Sequence, residues 1–444
     1  MAARPRLIAR AGDPLARVYH RALALRWLAT VLAMPVLVPL LLARGLDLGQ
    51  IALVMATFAA VTAALELPTG GLADAFGRVR MTLVADASTL VAHLGFMLAP
   101  GLPGLLVAAA IGGAARALGS GSLEAWYVDA RRAREPHGDL QGPLARAGVV
   151  QSLVLALAML AGGALPLLAP VLGIADPGGV RALQLTFAAS VALWVLSLAA
   201  TSRLREPRTT SLAAHRAARR AARPDLVARI VVRTMRGDHS LGALVAIGAT
   251  LGAVVMSVET FLPIELQVRW GPDGVSMVLG VVMAVAFAAT AAGQALAARQ
   301  ASTASAAPLV GAVLGATVIA LGAGVVALDA SVLSTAAAVA LVAAGSWAVY
   351  FGLGLATPSL AAAFHDRVPS AQRATMLSLR SLAAYAGGVV ATLALGRLAD
   401  GAGLLPVWLV VAGLAAGAAL TAARWRGAAL SSPAPASAAR AEAP

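Results

Sequence analysis

The residues of this sequence best placed to do chemistry are charges set inside long apolar runs. Arg116 stands mid-run with Ser120 and Glu124 four and eight positions on, a spacing that puts all three on one helical face. Asp86 lies in another run with His93 seven positions later, Glu66 closes a third, and Glu259 stands in a fourth ahead of Pro263 and Glu265. A charge near the middle of an apolar layer costs roughly 2.5 kcal/mol or more. It is retained to pair with an opposite charge, or to take up and release a proton in a partly dry cavity. Metal-ligand spacings and phosphate-binding Gly-Lys-Ser/Thr loops are absent from the sequence, and there is no cysteine. That removes thiolate, disulfide and ATP-driven chemistry, so no cofactor and no enzymatic activity is expected.

The elements that must hold these charges follow from composition. Of 444 residues, 60% are apolar and 12% charged, and the mean hydropathy is +0.84. A soluble surface would need about 25% charged residues, so lipid must be the solvent for most of the chain. Apolar runs bounded by charge, Gly or Pro predict twelve spans of about 20 residues. They cover 22–43, 51–72, 79–99, 102–128, 145–172 and 181–201, then 241–266, 275–298, 307–327, 331–358, 373–398 and 403–423. The first has a long basic leader and no convincing small-residue cleavage site, so it reads as an uncleaved helix.

The net charge of +14 comes from 34 basic residues, every one Arg. With the N-terminus inside, 27 fall on the inner side, 4 outside and 3 within spans (Arg26, Arg116, Arg380). That bias orients both termini to the cytoplasm, and it accounts for the basic surplus without a nucleic-acid partner. The loop at 202–240 carries ten Arg and suits contact with anionic lipid. It divides the chain into a cytoplasmic segment 1–21, a six-helix bundle 22–201, the linker 202–240, a second six-helix bundle 241–423 and a disordered tail 424–444.

After the second span comes Glu66-Leu67-Pro68-Thr69-Gly70-Gly71-Leu72-Ala73-Asp74-Ala75-Phe76-Gly77-Arg78-Val79-Arg80. This resembles the Gly-x-Leu-Ala-Asp-x-x-Gly-Arg signature between helices 2 and 3 of the major facilitator superfamily. The resemblance implies a pseudo-symmetric 6+6 fold that works by alternating access. It also makes Gly70, Asp74, Gly77 and Arg78 a conformational latch, whose glycines allow a tight turn and close helix approach. Ala75 and Val79 stand where basic residues are common, so the latch charges are thinned. The run Gly119-Ser120-Gly121-Ser122-Leu123-Glu124-Ala125-Trp126-Tyr127-Val128-Asp129 looks like the end of helix 4 in bacterial drug-efflux members, which implies that Asp129 joins the latch. Near the end of the eleventh span, Gly396-Arg397-Leu398-Ala399-Asp400 matches the signature's wording on the outer side and is not its repeat copy.

Each internal charge keeps two readings. Arg116 followed by Gly119 resembles the helix 4 Arg implicated in proton coupling, and reads equally as a structural Arg paired with a buried carboxylate. Glu66 and Asp86 are proton-coupling candidates or extensions of the latch. Glu259 is the least easily explained acid of the second half, while Glu265 is expected to face water, and His93 reads as packing. Trp194, Trp347, Tyr350 and Tyr385 lie deep enough to line a cavity or simply to pack, and Arg380 meets cargo or snorkels inward.

The expectation is therefore an all-α, multi-pass transporter in a bacterial inner membrane, functional as a monomer, exchanging protons for a small lipophilic cargo. Two alternatives stay open: an importer of a metabolite or a lipid flippase on the same fold, and a non-transporting membrane receptor or scaffold.

Overall fold

The computed structural model describes residues 13–135, 141–174, 176, 179–206, 239–270, 274–299, 337, 340, 343–355 and 373–431. The span expected at 307–327, most of the linker and the tail beyond 431 lie outside the described residues. Among those described, all regular elements are helices: α1 Pro14–Leu32, α2 Met34–Ala43, α3 Leu48–Phe76, α4 Arg78–Leu98, α5 Leu102–Leu118, α6 Ser122–Arg134, α7 Gln141–Ala164 and α8 Val180–Thr201. Then follow α9 His239–Trp270, α10 Val275–Arg299, α11 Ala343–Leu355, α12 Arg373–Ala402 and α13 Leu404–Ser431. Nine stretches among the described residues are long and apolar enough to cross a membrane. Val107, Leu153, Leu157, Val195 and Val390 stand exposed, the arrangement of a protein whose outer surface meets lipid rather than water.

Local chemistry explains where the helices start and stop. α1 begins at Pro14 because the Asp13 carboxylate accepts the Leu15 N–H at 2.9 Å, and Pro14 occupies a position whose N–H would be unpaired anyway. Its run stops at Ala33 because Pro35 has no N–H for the carbonyl of Val31. The latch segment, expected as a loop, is helical to Phe76 in spite of Pro68. There the Thr69 hydroxyl donates to the Leu65 carbonyl at 2.8 Å and to Ala117 at 3.1 Å, linking α3 to α5.

Span four, expected as one helix over 102–128, is two. α5 and α6 are separated by Gly119, Ser120 and Gly121, the last with φ 68°. The break lies beside the charged positions of that span.

The chain divides into two compact units, one of Met1–Leu46, Ala60–Pro224 and Trp270–Ala284, the other of Asp47–Ala59, Asp225–Arg269 and Val285–Pro444. In the first, α4 packs on α5 and α8, and α1 packs on α7 and α8. In the second, α9 and α12 approach through small residues: Gly252 lies against Ala384 and Gly387 against Ala249. Association of helices in lipid depends on such close backbone contact.

A Cβ at Gly252 would fall on the Ala384 carbonyl, whereas one at Gly413 meets nothing. Gly252→Ala is expected to destabilise the second unit by about 1–3 kcal/mol, as overpacking does. Gly413→Ala should melt with the parent when detergent-solubilised protein is heated and its monodisperse fraction followed.

Candidate functional site

In the first unit the internal charges form a connected network. The Asp86 carboxylate, fully buried on α4, lies 2.9 Å from the Arg26 Nε of α1. Its other oxygen accepts from the hydroxyls of Ser197 and Thr201 on α8, both at 3.2 Å. Arg26 also donates to the Gly119 carbonyl at 3.4 Å, so a cation stands at the C-terminal end of α5, where freed carbonyls concentrate negative charge. One turn earlier Arg116 is exposed, with its guanidinium carbon 6.0 Å from the Trp27 ring centroid, at the limit of a cation–π contact. The exposed Ser120 hydroxyl in the break donates to Glu66 at 3.0 Å. The four helices α1, α4, α5 and α8 are thus tied at one depth, with Arg116, Ser120 and Glu66 beside them.

Two turns before Asp86, at the start of α4, lie the latch residues. Arg78 Nε meets Asp129 on α6 at 2.9 Å, both side chains partly exposed. Gly77 has φ 97°, and the Glu206 carboxylate occupies the space its side chain would take while accepting the Val79 N–H at 2.6 Å. Trp126 donates its indole N–H to the Arg205 carbonyl at 2.9 Å, and Leu204 is buried with Leu15, Tyr19, Val79 and Tyr127. The first residues of the linker are therefore docked on the latch. Gly70 and Asp74 are backbone positions of α3 whose side chains lie outside the described residues.

In the second unit Glu259 on α9 accepts the Tyr350 hydroxyl of α11 at 3.2 Å. Phe287 on α10 meets the Tyr350 ring edge-on, with centroids 5.8 Å apart, and the Thr290 hydroxyl donates to the Tyr350 carbonyl. Among the described residues no cation pairs with Glu259. Arg380 runs along Gly248 of α9, and Trp347 and Tyr385 are half-buried. Glu265 departs from expectation. It is 3% exposed and accepts the Trp408 indole N–H at 3.3 Å, because α9 runs on to Trp270 and keeps this position inside the packed helix.

Trp194 is buried in the first unit beside His93, which lies near Phe187 and contacts the Thr89 carbonyl through Nδ1 at 2.8 Å. Sequence reasoning passed over Arg26, Ser197, Thr201 and Phe287 as site residues. Arg26 is itself a charge inside an apolar run, and Ser197 and Thr201 share a helical face at i, i+4; those signals were available. Pairing Glu259 with Tyr350 across 91 positions has no local signal.

A lipid-embedded helical chain that keeps carboxylates and guanidinium groups inside its membrane segments suits the passage of solutes. The sequence matches the family model described as Major Facilitator Superfamily over residues 22–353, and the chain belongs to that family. No curated protein matches it. Among solved structures it is similar to the nucleoside transporter NupG in its D323A form, with a TM-score of 0.70 and 12% identity over 93% of this chain and 99% of that one. It is also similar to a POT family transporter in complex with 5-aminolevulinic acid, with a TM-score of 0.67 and 14% identity over 93% and 96% of the two chains. At these identities the likeness is one of fold.

Proposed function

We propose that this protein is a proton-driven exporter of a small lipophilic cargo carrying a cationic centre, working by alternating access in a bacterial inner membrane. The observation that carries the reading is Glu259, an intramembrane carboxylate held by Tyr350 beside Phe287 with no cation paired to it among the described residues. Such a group can bind either a proton or an organic cation, and the aromatic faces beside it favour the latter. Occupancy by one excludes the other, which is the requirement for exchange. The Arg distribution supports two bundles of six helices with both termini and the Arg-rich linker on the cytoplasmic side, the linker against anionic lipid. The monomer contains every group this cycle uses.

A second reading rests on the exposed Arg116 and Ser120 with the half-buried Glu66 at the break of span four, which suits a polar cargo taken up rather than expelled. The nucleoside and POT transporters of like fold favour including such cargoes in the test.

The test is a proteoliposome screen with an imposed proton gradient and an internal pH dye, presenting lipophilic cations, nucleosides and sugars. The expected result is proton counter-movement with a lipophilic cation, abolished when the gradient is collapsed. Transport indifferent to that collapse overturns the coupling, and proton movement in the same direction as a nucleoside overturns export.

A further inference from the structure

The last turn of α1 borrows hydrogen-bond donors from other helices. Its carbonyls lie at the Ala33–Pro35 break, where the helix's own N–H groups run out. The Ser190 hydroxyl of α8 donates to the Ala29 carbonyl at 2.6 Å, and the His93 ring of α4 meets the Thr30 carbonyl. His93 is already committed at Nδ1, which donates to the Thr89 carbonyl at 2.8 Å, since a carbonyl can only accept. That leaves Nε2 for Thr30. An imidazole has two N–H donors only when it carries an added proton and a positive charge. The C-terminal end of a helix such as α1 favours that charge.

Trp194 of α8 gives the second observation. Its indole N–H is buried with no acceptor among the described residues, although the His93 ring lies beside it, with centroids 6.1 Å apart and planes at 59°. A Trp N–H can only donate, and when buried it ordinarily finds a partner. A neutral His93 that keeps its Nδ1 proton offers at Nε2 the lone pair this N–H lacks. α1 packs on α8, so a single ring stands between a carbonyl that needs its proton and an indole that needs its lone pair.

We propose that His93 is a proton-binding site of the first unit: with a proton on Nε2 it holds the Thr30 carbonyl of α1, and without it Nε2 turns to accept from Trp194 of α8. The structure shows the first arrangement. The charges nearest the ring are the Arg26–Asp86 pair two turns down α4, and Arg44, which donates to the Phe96 and Met97 carbonyls at 2.7 and 2.6 Å. α8 carries no charged side chain after Arg181, and α5 none before Arg116. The charges of α6 meet the start of α4. Among the described residues none of these pairs with His93, so the choice falls to Thr30 and Trp194. The proposal is independent of Glu259, of the cargo and of the chain's orientation in the bilayer.

The test is solid-state NMR of protein labelled with 15N-histidine in liposomes, titrated from about pH 8 to about pH 4. Ring 15N shifts report the protonation of each nitrogen. The His93 signals are those missing from His93→Gln or, where that variant does not fold, those retained when the other histidines are replaced. The expected result is a His93 whose Nδ1 stays protonated throughout while Nε2 gains its proton on the acid side. Trp194→Phe keeps the aromatic packing and removes the donor that holds the neutral form. It should raise the midpoint by about 0.4–1 pH unit, the equivalent of one net hydrogen bond. A His93 that stays neutral over the whole range overturns the proposal, and so does a midpoint that Trp194→Phe leaves in place.

Discussion

Glu259→Gln is expected to abolish uphill, proton-driven movement of cargo, by about tenfold or more, while exchange of labelled for unlabelled cargo at equal pH survives. The substitution is nearly isosteric, and the Gln carbonyl can still accept from Tyr350. What it removes is the ability to take up and release a proton, so the two assays separate coupling from the rocking motion itself. A tenfold loss corresponds to only about 1.4 kcal/mol at the rate-limiting step, well within what one buried charge contributes in lipid. Tyr350→Phe removes the hydrogen bond that this carboxylate accepts from the Tyr350 hydroxyl and leaves its proton chemistry in place. It should slow transport a few-fold without uncoupling it. Uphill transport by Glu259→Gln within twofold of the parent would move the coupling role to the first unit, where Glu66 and Asp86 lie beside the broken span.

Much of the architecture was legible because lipid leaves few choices. Every backbone group must be paired within its own segment, so apolar runs of span length read directly as helices. The same constraint hid the irregularities. Gly and Pro mark loops in water, but in α3 the helix continues through Pro68, and the Thr69 hydroxyl ties it to α5 at the Ala117 carbonyl. Conversely Gly119-Ser120-Gly121 reads as tolerated small residues within a helix and is in fact its break, with Arg26 arriving from α1. Glu265 was expected to face water, one residue short of the end read for its span at 266. In the structure Trp408, 143 positions away, supplies its donor. Single charges in apolar runs announced themselves by their cost. Their partners lie on other helices, and no spacing along the chain identifies them.

The largest stability effect is expected at Arg26 and Asp86. Breaking a buried pair by removing one partner leaves the other charge uncompensated, at a cost of roughly 3–5 kcal/mol. Arg26→Ala should therefore lower the melting midpoint of the detergent-solubilised protein more than any single change at the partly exposed Arg78–Asp129 pair, whose contribution is about 1 kcal/mol or less. Asp86→Ala adds a second loss, because the Ser197 and Thr201 hydroxyls surrender their shared acceptor. Replacing both charges, as Arg26→Met with Asp86→Leu, removes the pair without orphaning either member and should recover most of the stability. Transport by that double variant then decides what the pair is for. Arg26 holds the Gly119 carbonyl at the end of α5, one turn from Arg116 and next to the Ser120–Glu66 contact. A double variant that melts near the parent but transports poorly makes the pair a positioning element for the broken span. A double variant with parental transport makes it scaffold alone. Arg26→Ala melting with the parent would contradict the pairing that both readings share, since an unpaired Asp86 carboxylate at zero exposure cannot be held in that interior at no cost.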